Sequence, residues 1–410
     1  MMNNEPKVVQ RVIGLDAHPD TITAAILRGP TPLAAVTEQI FNRLPIDRLA
    51  KWAAKHSSAE DLFVLEASGN SFHIARTLAA IGRRAIVLES AQLGQLKEAH
   101  ANNDKLSAVR IAKAYLAGTA KEVWVPDVKT QERRDIFHAH RKAVKRTTQI
   151  RARLLSYLSD NGARLKPGTA LTQATAEPIV RALKPWTPWQ WQIIAGLLLE
   201  LRQAEEVRAH WRSLIAQEVL SDPKLLSIVR LCGVRDVIAF ALGAIIGDIH
   251  RFAHPKKLVK YVGLNPAYDH SGEGQWNGGI GGHGRKDLRS LLIEAAHAVI
   301  RSPAPVARWG KRLLARKSSR ALAVCALARK LIVAVWYLMM GRWTALEELD
   351  ELLKRKIGKI ISQVQPENLI ILGPDRKTIR EQTRERIKSA GLYFLDPTKK
   401  YEATPSPAAA

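Results

Sequence analysis

The sequence predicts an α/β domain over residues 8–125, a basic long-helix or coiled-coil segment over 126–222, a mostly α-helical domain over 223–345 and a polar extension over 346–410. Three observations carry that expectation. Short β-branched runs bounded by turn residues alternate with amphipathic stretches up to Leu116. From Lys129 to Asn161 neither proline nor glycine interrupts a helix-forming sequence. Beyond Pro223 apolar residues recur at helical spacing, as in Leu288, Leu291, Leu292, Ala295 and Ala296.

Val8 to Leu15 is rich in β-branched residues and ends at Asp16. After the turn His18-Pro19-Asp20, Thr21 to Leu27 gives a second strand and Pro32 to Phe41 a weaker third, so the chain opens as a meander. Leu44 to Lys55 has the spacing of a helix. The compact apolar run Leu62 to Leu65 follows and ends at Glu66. A short buried strand between helices adds to the sheet in parallel. Ser71 to Ile81 reads as a helix and Ala85 to Leu88 as a further strand, ending at Glu89. Asp104 to Leu116 is a helix whose start is marked by Asn102-Asn103-Asp104; Asp104 and Ser107, three apart, share a face.

The long helix carries Arg133, Arg134, Arg141, Lys142, Lys145, Arg146, Arg151 and Arg153, which suit it to lie along a phosphate backbone or to pair with another helix. Gly162 to Glu177 reads as a linker. A second long helix, Pro188 to Leu220, is entered through Trp186, Trp189 and Trp191, residues that favour packing over base stacking. Leu225 to Ile246 reads as helix, glycine turn at Cys232-Gly233-Val234, helix, a form able to offer backbone amides to phosphates. Pro255 to Val262 is a short helix. Asn265 to Gly284 is expected to be a glycine-rich loop holding Ser271 and leading into the basic pair Arg285 and Lys286. Lys286 to Ile300 and Ala321 to Met340 complete a helical core, and the last ten or so residues are expected to be disordered.

Composition narrows the function. In 410 residues, 63 Lys and Arg against 38 Asp and Glu leave a formal charge of +25, and that self-repelling excess points to a polyanion, nucleic acid, as partner. Two cysteines, Cys232 and Cys325, support neither a disulfide framework nor a cysteine zinc site. The longest apolar run, Ala321 to Met340, has Arg329 and Lys330 at its middle, so a buried helix is expected there and no membrane partner. The polar amino end lacks an apolar signal core, and cytoplasmic residence is expected.

Two constellations carry chemistry. Asp16, Glu66 and Asp104 end two strands and begin a helix; carboxylates converging from separate elements hold a hard cation, Mg²⁺ or Mn²⁺. The order of meander with acid, strand with acid and helix with acid is that of the ribonuclease H class of nucleases. The other constellation is Ser271, a weak nucleophile that needs activation.

The motifs Gly14-Leu15-Asp16, Leu65-Glu66-Ala67-Ser68-Gly69, Asn103-Asp104-Lys105-Leu106-Ser107-Ala108, Ile245 to Phe252, Tyr261 to Pro266, Ser271-Gly272 and Arg289 to Ala296 together resemble the transposases of the insertion sequence 110 family, in order, across residues 8 to 340. That resemblance implies a RuvC-like first domain of ribonuclease H fold, a coiled-coil segment and a domain with a nucleophilic serine. It also implies a covalent phosphoserine link to DNA, a Mg²⁺-assisted composite site, a guide RNA from the element that pairs with target and donor, and a dimer or tetramer. Asp16, Glu66 and Asp104 match three of the family's four acidic ligands, and Ser271 matches the nucleophile.

The fourth acidic position falls on Ser107, a departure that removes one charge and one strong ligand. Glu89, and more weakly Asp20, are the substitutes the sequence offers. His270 stands where the family often has a second serine, and the glycine turn at Gly233 lacks the usual proline and second glycine. A site-specific DNA invertase of the pilin-inverting type uses the same residues. An inert nucleic-acid-binding descendant, or a hydrolytic nuclease that uses the acids without the serine, also fits this sequence.

Overall fold

The computed structural model describes residues 11–95, 103–171, 175–271, 274–280, 283–303, 305–316, 319–342 and 350–389. The chain divides into two compact units, Met1–Asp127 and Val128–Ala410.

In the first unit β1 (Arg11–Ala17), β2 (Thr21–Arg28) and β3 (Val36–Pro45) form the antiparallel meander; α1 (Leu49–His56) leads to β4 (Leu62–Glu66), and α2 (Ser71–Ala80) to β5 (Arg84–Leu88). Then come α3 (Ser90–Gln95), α4 (Asp104–Leu116) and the short β6 (Glu122–Val123). The sheet order is β3-β2-β1-β4-β5-β6, with β4 parallel to β1 and β5 parallel to β4. Ile13, Leu15 and Phe63 pack against Leu49, Trp52, Ile74 and Leu78 on one face, while Val12, Leu62 and Val64 pack against Ala108, Ile111 and Ala112 on the other. Cover on both faces explains why β1, β2 and β4 read as near-continuous apolar runs. Helix α4 crosses β1 so closely that a Cβ on Gly14 would stand 2.0 Å from the carbonyl oxygen of Ala108. Only glycine permits that approach.

The second unit is built on two long helices, α5 (Val128–Asp160) and, after α6 (Ala176–Arg181), α7 (Pro188–Ser221). Thr187 and Gln190 close a capping box at the start of α7, with Pro188 in the first turn. Ile150, Leu154 and Leu158 meet Ile194, Leu197, Leu201 and Ala204 along the seam. At the other end Phe137 of α5 and Ile215 of α7 enter a larger core. That core includes α8 (Pro223–Val229), α9 (Asp236–Ile246), α10 (Pro255–Val262) and, beyond the hairpin β7 (Pro266–Ser271) and β8 (Gly274–Ile280), α11 (Lys286–Arg301), α12 (Pro305–Arg316) and α13 (Arg320–Met339). Three last helices, α14 (Asp350–Ile361), α15 (Pro366–Leu372) and α16 (Arg376–Ser389), complete it.

Several expectations change here. The predicted loop over Asn265–Gly284 contains a hairpin with Tyr268 opposite Asn277 and Ser271 opposite Gly274, its strand signal hidden by the glycines between them. The glycine turn at Gly233 is pressed against α11, where its Cβ would lie 2.4 Å from the Ala295 carbonyl oxygen, and Leu231, Cys232 and Val234 beside it are fully buried in the core. The polar extension is helical over 350–389, and Leu353, Ile357, Ile360, Ile361, Ile379 and Ile387 join the core. The end expected to be disordered lies outside the described residues. Among the described residues, α13 is long and apolar enough to cross a membrane, yet Val324, Leu327, Leu331 and Val335 are buried within this unit, as expected of a core helix.

Candidate active site

Leu15 of β1 pairs with Leu65 of the parallel neighbour β4, which sets Asp16 and Glu66 level at the carboxyl ends of adjacent strands. In sheets of this kind ligands collect beyond the carboxyl ends of the strands. Helix α4 is capped by Asn103, whose side chain accepts from the N–H of Leu106 at 2.9 Å, leaving Asp104 in the first turn. The close crossing at Gly14 brings that first turn over the end of β1. The result is a cleft of ≈ 210 Å³ lined by Asp16, Glu66, Asp104 and Ser107 together with Arg110. Glu89 and Asp20 are exposed, and neither lines the cleft.

From the sequence His18 reads only as a turn residue, and the structure places it in this cleft. Its Nε2 lies 3.4 Å from Asp104 Oδ1 and 3.8 Å from Asp16 Oδ2, is shielded from solvent, and makes no hydrogen bond within the described residues. The turn is held on both sides. The N–H of His18 donates to the carbonyl oxygen of Thr21 at 2.9 Å, and its own carbonyl accepts from Nδ2 of Asn70 at 2.7 Å, which ties the loop after Asp16 to the loop after Glu66. A histidine two residues beyond an acid at a strand end was the available signal. One carboxylate oxygen each from Asp16 and Asp104 and the His18 nitrogen lie within 4.8 Å of one another, a donor set that could hold a divalent cation, with Glu66 lining the same cleft.

The basic residues of α5 divide into two groups. Arg133 binds Glu218 at 2.8 Å and Asp222 at 2.7 Å, Arg151 binds Glu205 at 2.8 Å and Arg153 binds Glu200 at 3.2 Å, all across the seam to α7 or its end. Arg134 is 8% exposed and donates to the carbonyl oxygens of Ala244 and Ile245, capping the negative end of α9. That inward placement corrects the expectation that Arg134 meets nucleic acid. Lys142, Lys145 and Arg146 are exposed, and Arg141 reaches 4.0 Å from Asp287. Arg285 pairs with Asp287 at 2.7 Å and Lys286 is exposed at the start of α11. Burial alone would push the Asp287 carboxyl up, but the Arg285 fork and the Leu288 N–H hold it below its ordinary value. Burial, helped by nearby Arg212, lowers the His140 imidazole to about 4.

Ser271 is the last residue of β7, at the tip of the hairpin; its side chain, with those of 267–279, lies outside the described residues, as do Gly272 and Glu273. The hairpin's base is clamped. Gly263 ends α10 with φ 79°, where a Cβ would fall 2.0 Å from the carbonyl oxygen of His283. Arg289 donates to the carbonyl oxygens of Gly263 at 3.1 Å and His283 at 3.0 Å, and Arg329 donates to that of Leu264 at 3.1 Å.

The transposase IS116/IS110/IS902 family model matches residues 227–309, which run from α8 into α12 and include Ser271. The chain is 28% identical over 260 residues to a transposase designated y4qE from Sinorhizobium fredii, covering 62% of this chain and 61% of that one. It is 25% identical to a family 20 transposase of Pseudomonas aeruginosa, over 74% of this chain and 95% of the relative. It is 24% identical to the transposase for insertion sequence element IS1111A of Coxiella burnetii, over 68% of this chain and 78% of the relative. The chain is thus similar to transposases of the IS110 type. The family match falls wholly in the second unit, while the acidic cleft lies in the first.

Proposed function

We propose that this chain is the DNA transposase of an insertion sequence, acting through Ser271 and a divalent cation held by Asp16, Glu66 and Asp104. The observation that carries the proposal is the convergence of those three carboxylates, from β1, β4 and α4, on one cleft. Their order, with a meander first and parallel strands after it, supports the RuvC-like, ribonuclease H reading of the first unit.

In this reading the Ser271 hydroxyl attacks a DNA phosphodiester: the bond from Oγ to phosphorus forms, the bond to the strand oxygen breaks, the serine proton is lost and the leaving oxygen takes one up. The covalent phosphoserine conserves the energy of the broken bond for rejoining. When bound, Mg²⁺ or Mn²⁺ supplies charge stabilisation at the phosphoryl oxygens. Asp16, Glu66 and Asp104 hold it, and Arg285 and Lys286 attract the phosphate backbone at the start of α11. The exposed cations Arg141, Lys142, Lys145 and Arg146 offer a second track for DNA or for a guide RNA encoded by the element. Bringing two duplexes together requires more than one copy of the chain. A protein that works on chromosomal DNA in this way resides in the bacterial cytoplasm.

The test uses supercoiled plasmids carrying the element's ends and target, with the RNA that copurifies with the chain. Wild type should give a covalent adduct of protein and DNA and joined product, both dependent on the divalent ion. Ser271→Ala should lose both, by about 10³-fold or more, while retaining DNA binding. Normal joining by that variant removes Ser271 as nucleophile. Ser107 favours one rival, an inert binder, for which salt-sensitive binding without any ion-dependent product is the distinguishing result.

A further inference from the structure

We infer that His18 is a ligand of the cation in the acidic cleft, supplying a nitrogen donor where Ser107 leaves the carboxylate set one short, and that it turns the site's preference from Mg²⁺ toward Mn²⁺. This rests on the metal reading above. Three observations carry it. Nε2 of His18 faces the carboxylates of both Asp16 and Asp104, at 3.8 and 3.4 Å, from a position shielded from water. Around one octahedral ion with bonds of about 2.1 Å, neighbouring ligand atoms stand roughly 3 Å apart and opposed ones about 4 Å. One oxygen from each acid and the His18 nitrogen all lie within 4.8 Å of one another, close to that size before an ion draws them in.

Among the described residues the same nitrogen makes no hydrogen bond, although two carboxylates stand within ion-pair distance of it. A shielded polar atom without a partner is costly unless something binds it. With the ring proton on Nδ1, Nε2 presents a lone pair toward the cleft. The backbone of the turn is fixed at both its N–H and its carbonyl, by Thr21 and Asn70, so the ring is positioned without its own hydrogen bonds.

Imidazole is a poor partner for Mg²⁺, which strongly prefers oxygen and holds its water, whereas first-row transition dications accept mixed nitrogen and oxygen sets. A Mg²⁺ site should therefore gain little from His18 and a Mn²⁺ site should gain much.

The experiment titrates the full-length chain with Mn²⁺ and separately with Mg²⁺ by calorimetry, and records the pulsed paramagnetic resonance spectrum of bound Mn²⁺. Wild type should bind Mn²⁺ more tightly and show coupling to a ¹⁴N nucleus. His18→Ala should lose that coupling and about tenfold or more in Mn²⁺ affinity, with Mg²⁺ affinity changed by less than about threefold. His18→Asn, which puts an amide oxygen in place of the ring nitrogen, should restore part of the binding without the ¹⁴N signal. Because His18 sits in a half-exposed turn, matching circular dichroism of both variants checks the fold. Bound Mn²⁺ without ¹⁴N coupling in wild type, or equal losses for the two ions in His18→Ala, overturns the role of His18 alone. Failure of wild type to bind either ion overturns the metal reading as well.

Discussion

Gly14 has no chemistry, yet it sets the distance between Asp16, two residues on, and Asp104, one helical turn before Ala108. A methyl group there would stand 2.0 Å from the Ala108 carbonyl oxygen and 3.1 Å from the Cβ of Ala112, so α4 would have to move off β1. Gly14→Ala should destabilise the first unit by roughly 2–4 kcal/mol and lower divalent-ion affinity with it, because backbone atoms cannot turn aside as a side chain can. Thermal melts with and without Mn²⁺ measure both; an unchanged melting temperature would mean that the helix does not rest on the strand as described. Asp16, Glu66 and Asp104 were legible in the sequence, since each sits at the junction of an element and a turn. His18 was not, because a histidine before a proline looks like any turn, and only the path of α4 brings Asp104 to within 3.4 Å of it.

Between elements, the seam of α5 and α7 explains why the basic helix is less free than its sequence implies. Arg133, Arg151 and Arg153 meet acids on α7 or at its end that lie tens of residues away in sequence, so periodicity alone could not sort them from Lys142, Lys145 and Arg146. His140 belongs to the same helix and is buried, with Nδ1 lacking a hydrogen-bond partner among the described residues. Its pKa, lowered by burial from 6.5 to about 4, means that the folded state favours the neutral ring. This contribution to stability is full above pH 6.5 and is lost as pH falls toward about 4, on the order of 3 kcal/mol in all. Asp287, held below the ordinary carboxylate range, adds a further loss only at lower pH. His140→Gln should flatten the change in urea midpoint between about pH 7 and pH 5 for the second unit. An unaltered pH dependence in that variant would assign the effect to another group.

Across the whole molecule, the formal charge of +25 makes association with a polyanion steeply salt-dependent. If the exposed side of α5 follows a phosphate backbone, replacing Lys142, Lys145 and Arg146 together by glutamine should reduce the slope of log affinity against log salt by roughly 2–3. Replacing Arg151 and Arg153, which are already paired with α7, should change the slope by less. Equal slopes for wild type and the triple variant, measured by fluorescence anisotropy on duplex DNA, would move the track elsewhere.

The order and kind of most elements, the parallel addition to the meander, and Asp16, Glu66 and Asp104 at the junctions of elements and turns were written in the chain itself, because apolar periodicity and turn residues are local properties. Folding in three dimensions was needed to establish that residues 350–389 close the core of the second unit, that a hairpin presents Ser271 at its tip, and that His18 faces the acids. Those outcomes depend on which apolar faces find each other and on where a helix crosses a strand, and contacts between residues distant in the chain leave no period in the sequence to read.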